Sequence, residues 1–160
     1  MNQLPFLARL DQDYWLQLSE EGGSIISLTM GLEKPPILPG NPSDLLQEGK
    51  KQILAFLQGE RKTFDLPINP QGSAFRLRVW ERLLEIPYGQ TRCYQEIAQQ
   101  LGNPKAMRAI GGANRANPLP LIIPCHRVTA KDQDLAPHYS FGGVQVQRFL
   151  LELEKTRGTI

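Results

Sequence analysis

Apolar residues recur along this chain in two rhythms, one near 3.6 residues and one near two. The clearest helical stripe is Phe75, Val79, Leu83 and Ile86, at i, i+4, i+8 and i+11, widened by Trp80 and Leu84. It predicts an amphipathic helix capped by Ser73, stopped by Pro87-Tyr88-Gly89, and carrying these residues in the core. A second stripe, Leu46, Ile53, Leu54 and Leu57, starts after Ser43 and ends at Gly59. A third, Val146, Phe149, Leu150 and Leu153, faces inward and ends in Glu154 and Lys155. Between them, residues 94–101 predict a short helix with Ile97 and Leu101 four apart, closed by Gly102. Asn103 as N-cap and Pro104 at the first helical position then start another helix, running to about Asn114. Two short helices joined by a tight glycine-containing turn suit a helix-turn-helix at residues 94–114, and equally a core helical hairpin.

The period-two signal is confined to the first third. Residues 14–18 and 24–29, split by Glu20-Glu21-Gly22-Gly23, predict a β-hairpin. Residues 35–42 hold four prolines and predict a loop, because proline continues neither a helix nor a central strand. Residues 65–72, with Pro67, Pro70 and Gly72 and no helical period, place a domain boundary, so that residues 1–66 form a short N-terminal α/β domain and 67–160 a C-terminal one.

Composition narrows the class. The chain has 160 residues with 41% apolar content, enough to bury a core without disulfides or a structural metal. No stretch approaches a membrane span and the first residues lack a secretory signal, so a cytoplasmic protein without membrane or metal is expected. Two cysteines, Cys93 and Cys125, and two histidines, His126 and His138, form neither a disulfide scaffold nor a spaced zinc motif. The formal charge of +2 hides an asymmetry. Residues 1–70 hold 6 basic and 9 acidic side chains, residues 71–130 hold 8 and 3, and residues 131–160 hold 4 of each. The basic middle segment comprises Arg76, Arg78, Arg82, Arg92, Lys105, Arg108, Arg115 and Arg127. It suits a polyanion, although solvated helix faces also collect arginines.

Cys125 is the sharpest candidate for chemistry. Taken alone, a cysteine after the apolar run Leu121-Ile122-Ile123 is a small inert hydrophobe. Flanked by His126 and Arg127, it has neighbours able to stabilise the thiolate that attacks carbon. Neighbours on an extended chain point to opposite faces, so His126 reaches Cys125 only through a bend or a bridging water. Glu154 is the candidate to orient that histidine. Cys93 has no such surroundings and reads as structural, while Tyr94 opens a helix, where a phosphate is also favoured.

The run Pro124-Cys125-His126-Arg127-Val128 resembles the signature of the O6-alkylguanine-DNA alkyltransferases, or methylated-DNA–protein-cysteine methyltransferases. Four further blocks resemble the family in order: residues 75–80; Ile86-Pro87-Tyr88-Gly89 with Thr91 and Tyr94; Gly102-Asn103-Pro104 leading to residues 108–114; and Asn117-Pro118. The resemblance spans roughly residues 50–154. It implies a mixed α/β (α+β) fold, with a small N-terminal ribonuclease-H-like sheet domain and a C-terminal winged-helix-like, mainly helical DNA-binding domain.

The resemblance further implies a protein that transfers an alkyl group from O6-alkylguanine in duplex DNA, with O4-alkylthymine a further candidate, to its own cysteine. The turnover is single and irreversible, needs no cofactor, and is carried out by a monomer on a nucleotide rotated out of the stack. By position, Cys125 is the acceptor, His126 and Glu154 the relay that ionises it, Tyr94 the group that turns the phosphate and protonates the departing guanine, and Asn117 the hinge. Arg108 is the finger entering the stack, with Asn103, Lys105, Ala109 and Arg115 on the DNA. Asn114, Val128, Tyr139, Ser140 and Phe141 wall the guanine pocket. The chain departs from the family in having Ser140-Phe141 where one small residue is usual, which implies a reshaped pocket, and Cys93 where serine is usual. The competing readings are a non-catalytic alkyltransferase-like sensor or winged-helix DNA binder, which the presence of Cys125 disfavours, and a cysteine hydrolase, which would need an oxyanion hole.

Overall fold

A computed structural model describes residues 2–36, 40–131, 135–136 and 139–158. Part of the proline-rich loop and His138 lie outside the described residues. The hairpin is present as β2 (Asp13–Glu21) and β3 (Ser24–Gly31), turning through Gly22 and Gly23. A further strand, β1 (Asn2–Arg9), pairs antiparallel with β2 and completes a three-stranded sheet in the order β1-β2-β3. The period-two reading missed β1. Pro5 interrupts it, which is tolerated because β1 is an edge strand.

One face of this sheet, with Phe6, Ala8, Leu16, Leu18 and Ile25 buried, receives helix α1 (Asp44–Leu57). Ser43 caps α1 by accepting from the Leu46 N–H at 3.1 Å. Gly49 lets α1 approach closely, since a Cβ there would stand 2.9 Å from Leu18 Cδ1. Residues 67–69, within the stretch expected to separate two domains, are tied to β3. Ile25 N–H donates to the Pro67 carbonyl at 2.8 Å, and Asn69 N–H to the Ile25 carbonyl at 2.9 Å.

The C-terminal part is helical. Helix α2 (Ala74–Leu84) is capped by Ser73 and buries Val79, Trp80 and Leu83, whereas Leu84 is 48% exposed and does not join the core as its place beside the stripe suggested. Strand β4 (Arg92–Cys93) runs parallel to β5 (Val128–Thr129) and delivers the chain into α3 (Tyr94–Gln100). Helix α4 (Met107–Arg115) starts later than expected. Asn103 does not cap it: residues 103–106 form their own turn, with Ala106 N–H bonded to the Asn103 carbonyl at 3.0 Å, and Ala106 is buried. The first helical bond is Ile110 N–H to the Ala106 carbonyl. Helix α5 (Gly143–Gly158) buries Val146 and Leu150, leaves Phe149 and Leu153 half-buried, and continues past Lys155, where the apolar pattern ends. The fold is mixed α/β, an N-terminal antiparallel sheet with a helical C-terminal part, as expected.

Trp80 joins α2 to α4. Its buried indole N–H donates to the Ala113 carbonyl at 2.9 Å. Trp80→Phe removes this donor, leaves the carbonyl unpaired and vacates volume, and should cost about 2 kcal/mol in urea unfolding. A change below about 0.5 kcal/mol would show that the bond does not hold α4.

Candidate active site

The loop before Cys125 is held from within. Asn117 Oδ1 accepts from Leu119 N–H at 2.9 Å, and its Nδ2 donates to the Ile123 carbonyl at 2.9 Å. Leu121 lies in the left-handed region at φ 72°, which costs a branched residue about 1–3 kcal/mol and persists only because its surroundings impose it. Leu119, Leu121 and Ile123 are all buried, and Leu28 N–H donates to the Pro118 carbonyl at 2.8 Å. The loop therefore has little freedom where it meets Cys125.

Residues Cys125–Arg127 form a 3-10 turn. This is the bend that an extended chain would have lacked, and it sends three successive side chains in directions about 120° apart. Cys125 is 2% exposed. Burial pushes its thiol up to about 11, against the side chains of Asn117 and Tyr139 and the backbone at Cys125 and His126, all of which favour the thiolate. Ionising such a thiol at neutral pH costs on the order of 5 kcal/mol, so the resting group is a thiol that needs a base.

His126 is fully buried, and its Nε2 stands 2.5 Å from Glu154 Oε2. Arg127 meets the same carboxylate as a fork, with Nε 2.8 Å from Oε1 and Nη2 3.0 Å from Oε2. Gly89 N–H donates to Oε1 at 3.0 Å. Burial alone would raise the Glu154 carboxyl; the hydrogen bond from His126, then the hydrogen bonds and charge of Arg127, more than reverse this and hold it at about 2. For His126, burial outweighs the attraction of Glu154, and its pKa is lowered. The imidazole is therefore neutral. Because an ionised carboxylate only accepts, its proton sits on Nε2, and Nδ1 is a bare acceptor that is buried without a partner among the described residues.

Arg127 was counted in the basic segment suited to a polyanion. The structure corrects this: its guanidinium is buried, bonded to Glu154 and the Ile86 carbonyl, and lies 5.6 Å from the centre of the Tyr88 ring. Neither this role nor that of Gly89 was read from the sequence, because each depends on a contact with α5. Lys105, Arg108, Ala109 and Arg115 are exposed, as is Asn103 in the preceding turn. A cleft of about 610 Å³ opens over Cys93, Tyr94, Met107, Arg108, Gly111 and Arg115, with Lys131 on its far wall.

Tyr94 is half-buried at the start of α3. Burial raises its hydroxyl pKa despite Arg115 and Asn114, so it remains a proton donor at neutral pH. Asn114 is buried, donates to the Cys125 carbonyl at 3.3 Å, and leaves its Oδ1 without a partner among the described residues. Tyr139 and Val128 are buried near the Cys125–Arg127 turn. Ser140 donates to the Arg115 carbonyl at 3.3 Å, joining the segment after Tyr139 to α4. Phe141 is only 6% exposed and packs in the hydrophobic core. Cys93 is the N-cap of α3, and its N–H donates to Glu96 Oε2 at 2.7 Å.

A family model of the 6-O-methylguanine DNA methyltransferase DNA-binding domain matches residues 74–156. A methylated-DNA–protein-cysteine methyltransferase of Methanosarcina acetivorans is 41% identical over 137 residues, 84% of this chain and 86% of that relative. The Methanosarcina barkeri protein of the same name is 46% identical over 109 residues, 68% of each. The crystal structure of Mycobacterium tuberculosis OGT in complex with DNA is similar with a TM-score of 0.77 and 41% identity, covering 89% of this chain and 88% of that one. The O6-methylguanine methyltransferase structure from the same organism has a TM-score of 0.76 at 36% identity, covering 96% and 94%.

The pKa directions set the stability profile. Glu154 titrates lower folded than unfolded, so its contribution is present above about pH 4.5 and lost as pH falls toward 2. His126 is also lowered, so the unfolded chain takes up its proton first and stability falls as pH drops below about 6.5. Cys125 is raised, and its contribution is lost as pH climbs from about 9 to 11. Urea unfolding should give a plateau between about pH 6.5 and 9. Glu154→Gln should cost about 3–5 kcal/mol on that plateau by stranding Arg127, and should flatten the fall below pH 4.5. An unchanged acid limb would refute the assignment.

Proposed function

Because the chain belongs to the methylated-DNA–protein-cysteine methyltransferase family, we propose that Cys125 is its alkyl acceptor. The protein is a DNA-repair alkyltransferase and DNA is its partner. The observation that carries the assignment is a buried thiol in one turn with a neutral imidazole whose bare nitrogen has no partner among the described residues.

In this reading His126 Nδ1 takes the Cys125 proton, directly or through one bridging water, as Glu154 stabilises the imidazolium that forms. The thiolate Sγ attacks the alkyl carbon on O6 of the guanine. The S–C bond forms as the C–O bond breaks, and the electron pair leaves on the base, which gains a proton from the Tyr94 hydroxyl. The product is a thioether, a poor leaving group, so each molecule acts once. Asn117 keeps the loop in register and, with Tyr139, favours the thiolate.

The substrate is duplex DNA carrying O6-alkylguanine, with the base rotated out of the stack. Arg108, exposed on α4 beside the cleft, fills the gap, and Asn103, Lys105, Ala109 and Arg115 lie along the strand. Gly111 and Gly112 leave this helix face low enough for a backbone to approach. Asn114, Val128, Tyr139, Ser140 and Phe141 bound the guanine pocket, with Phe141 acting by filling space behind it. Residues 67–160 form the catalytic and DNA-binding domain and 1–66 its short N-terminal companion. The protein works as a monomer in the cytoplasm, and no described helix is long and apolar enough to cross a membrane.

Incubation with O6-methylguanine duplex should add one methyl to the peptide containing Cys125, read by intact mass and peptide mapping. Cys125→Ala should abolish the addition and retain DNA binding; an unmodified parent that still binds DNA would make the protein a damage sensor instead. Arg108→Ala should slow repair of duplex about tenfold or more, and repair of a single-stranded substrate much less. Equal losses on both substrates would exclude the finger role.

A further inference from the structure

Helix α5 carries a second fully buried polar side chain that the chemistry above does not use. Gln147 lies seven residues before Glu154, two helical turns away on the same face, and neither is exposed beyond 1%. Its amide is fully engaged. Nε2 donates to the His126 carbonyl at 3.2 Å and to the Val128 carbonyl at 3.0 Å, and Oε1 accepts from Ala136 N–H at 2.9 Å.

Glu154 holds the side chains of His126 and Arg127, while Gln147 holds the main chain on either side of Arg127. The two carbonyls follow the nucleophile by one and three residues. Ala136 precedes Tyr139 by three residues and its carbonyl accepts from the Tyr139 N–H at 3.2 Å, and the Tyr139 side chain is buried close enough to Cys125 to feel its charge. One carboxamide thus joins the back of the nucleophile turn to the wall opposite it. Only a side chain with two donor hydrogens and an acceptor in one plane makes all three bonds.

We propose that Gln147 is a positioning residue for alkyl transfer: it sets the spacing between the Cys125 turn and the pocket wall, and through that spacing both the transfer rate and the size of alkyl group accepted. The proposal rests on Cys125 being the acceptor. Displacement of a reacting atom by about 1 Å is worth about 100-fold in rate, so loss of the clamp is visible in chemistry well before it abolishes binding.

The test uses the full chain with duplexes bearing O6-methylguanine or O6-benzylguanine, in single-turnover reactions that separate the transfer rate constant from DNA affinity. Gln147→Met, close in shape and without the amide, should lose about 100-fold in the rate constant with DNA affinity within about twofold of the parent. Gln147→Glu keeps the acceptor without the donors and should be as slow. Gln147→Lys keeps donors to the two carbonyls without the acceptor; it should recover most of the methyl rate while changing the benzyl-to-methyl ratio. Parental rates in Gln147→Glu, an unchanged ratio in Gln147→Lys, or losses that match the unfolded fraction in thermal melts would each overturn the proposal. A parent that leaves Cys125 unmodified refutes the acceptor reading and this inference with it. A parent that transfers while all three variants keep its rates refutes this inference alone.

Discussion

The site depends on one buried charge. Glu154 is a carboxylate at 1% exposure, where desolvation costs several kcal/mol, and it is tolerable only because every direction around it supplies a donor. Two come from Arg127, one from His126 and one from the Gly89 main chain. With Glu154 itself they tie together three parts of the chain: the turn after α2, the Cys125–Arg127 turn and α5. The carboxylate therefore does for the reactive centre what the apolar core does for the fold. It makes a single arrangement of those three segments much better than any neighbouring one, because any other leaves a charge without its counterpart.

The arrangement also sorts protons. Burial acts in the same sense on Cys125 and His126, favouring the neutral form of each, so the site rests uncharged except for Glu154 and Arg127. The thiol is not activated by a permanently lowered pKa, as at an electropositive helix terminus. On the proposed reading its ionisation waits until His126 accepts the proton, and the charge then created on the imidazole meets a carboxylate already in place. A buried neutral thiol is a poor nucleophile toward stray electrophiles.

Much of this was legible in the sequence, and the rest was not, for identifiable reasons. The helical stripes placed α1, α2 and α5 with their caps at Ser43 and Ser73, because amphipathic period and N-cap chemistry are local. The start of α4 was misplaced because Asn103-Pro104 is as good a turn as a helix start, and the buried side chain of Ala106 decided between them. Strand β1 was missed because Pro5 sits in its middle, a residue that argues against a strand until the segment is known to lie at a sheet edge. At the site, the pentapeptide around Cys125 and its partner Glu154 were readable from the resemblance, whereas Arg127 was misassigned to the basic surface. A guanidinium reads as exposed until the carboxylate that buries it is known, and that carboxylate is 27 residues away.

That separation has a consequence for the life of the chain. The thiol and imidazole are made before the groups that orient them, which lie on α5, 28 residues beyond His126. During synthesis, domains fold from the N-terminus as they emerge. A nascent chain can thus assemble its sheet, α2, α3 and α4 while α5 is still within the ribosome, and in that interval His126 and Arg127 have no carboxylate to bond. On the proposed reading the groups that orient Cys125 arrive after it, and a chain cut short before α5 lacks the carboxylate that holds His126 and Arg127.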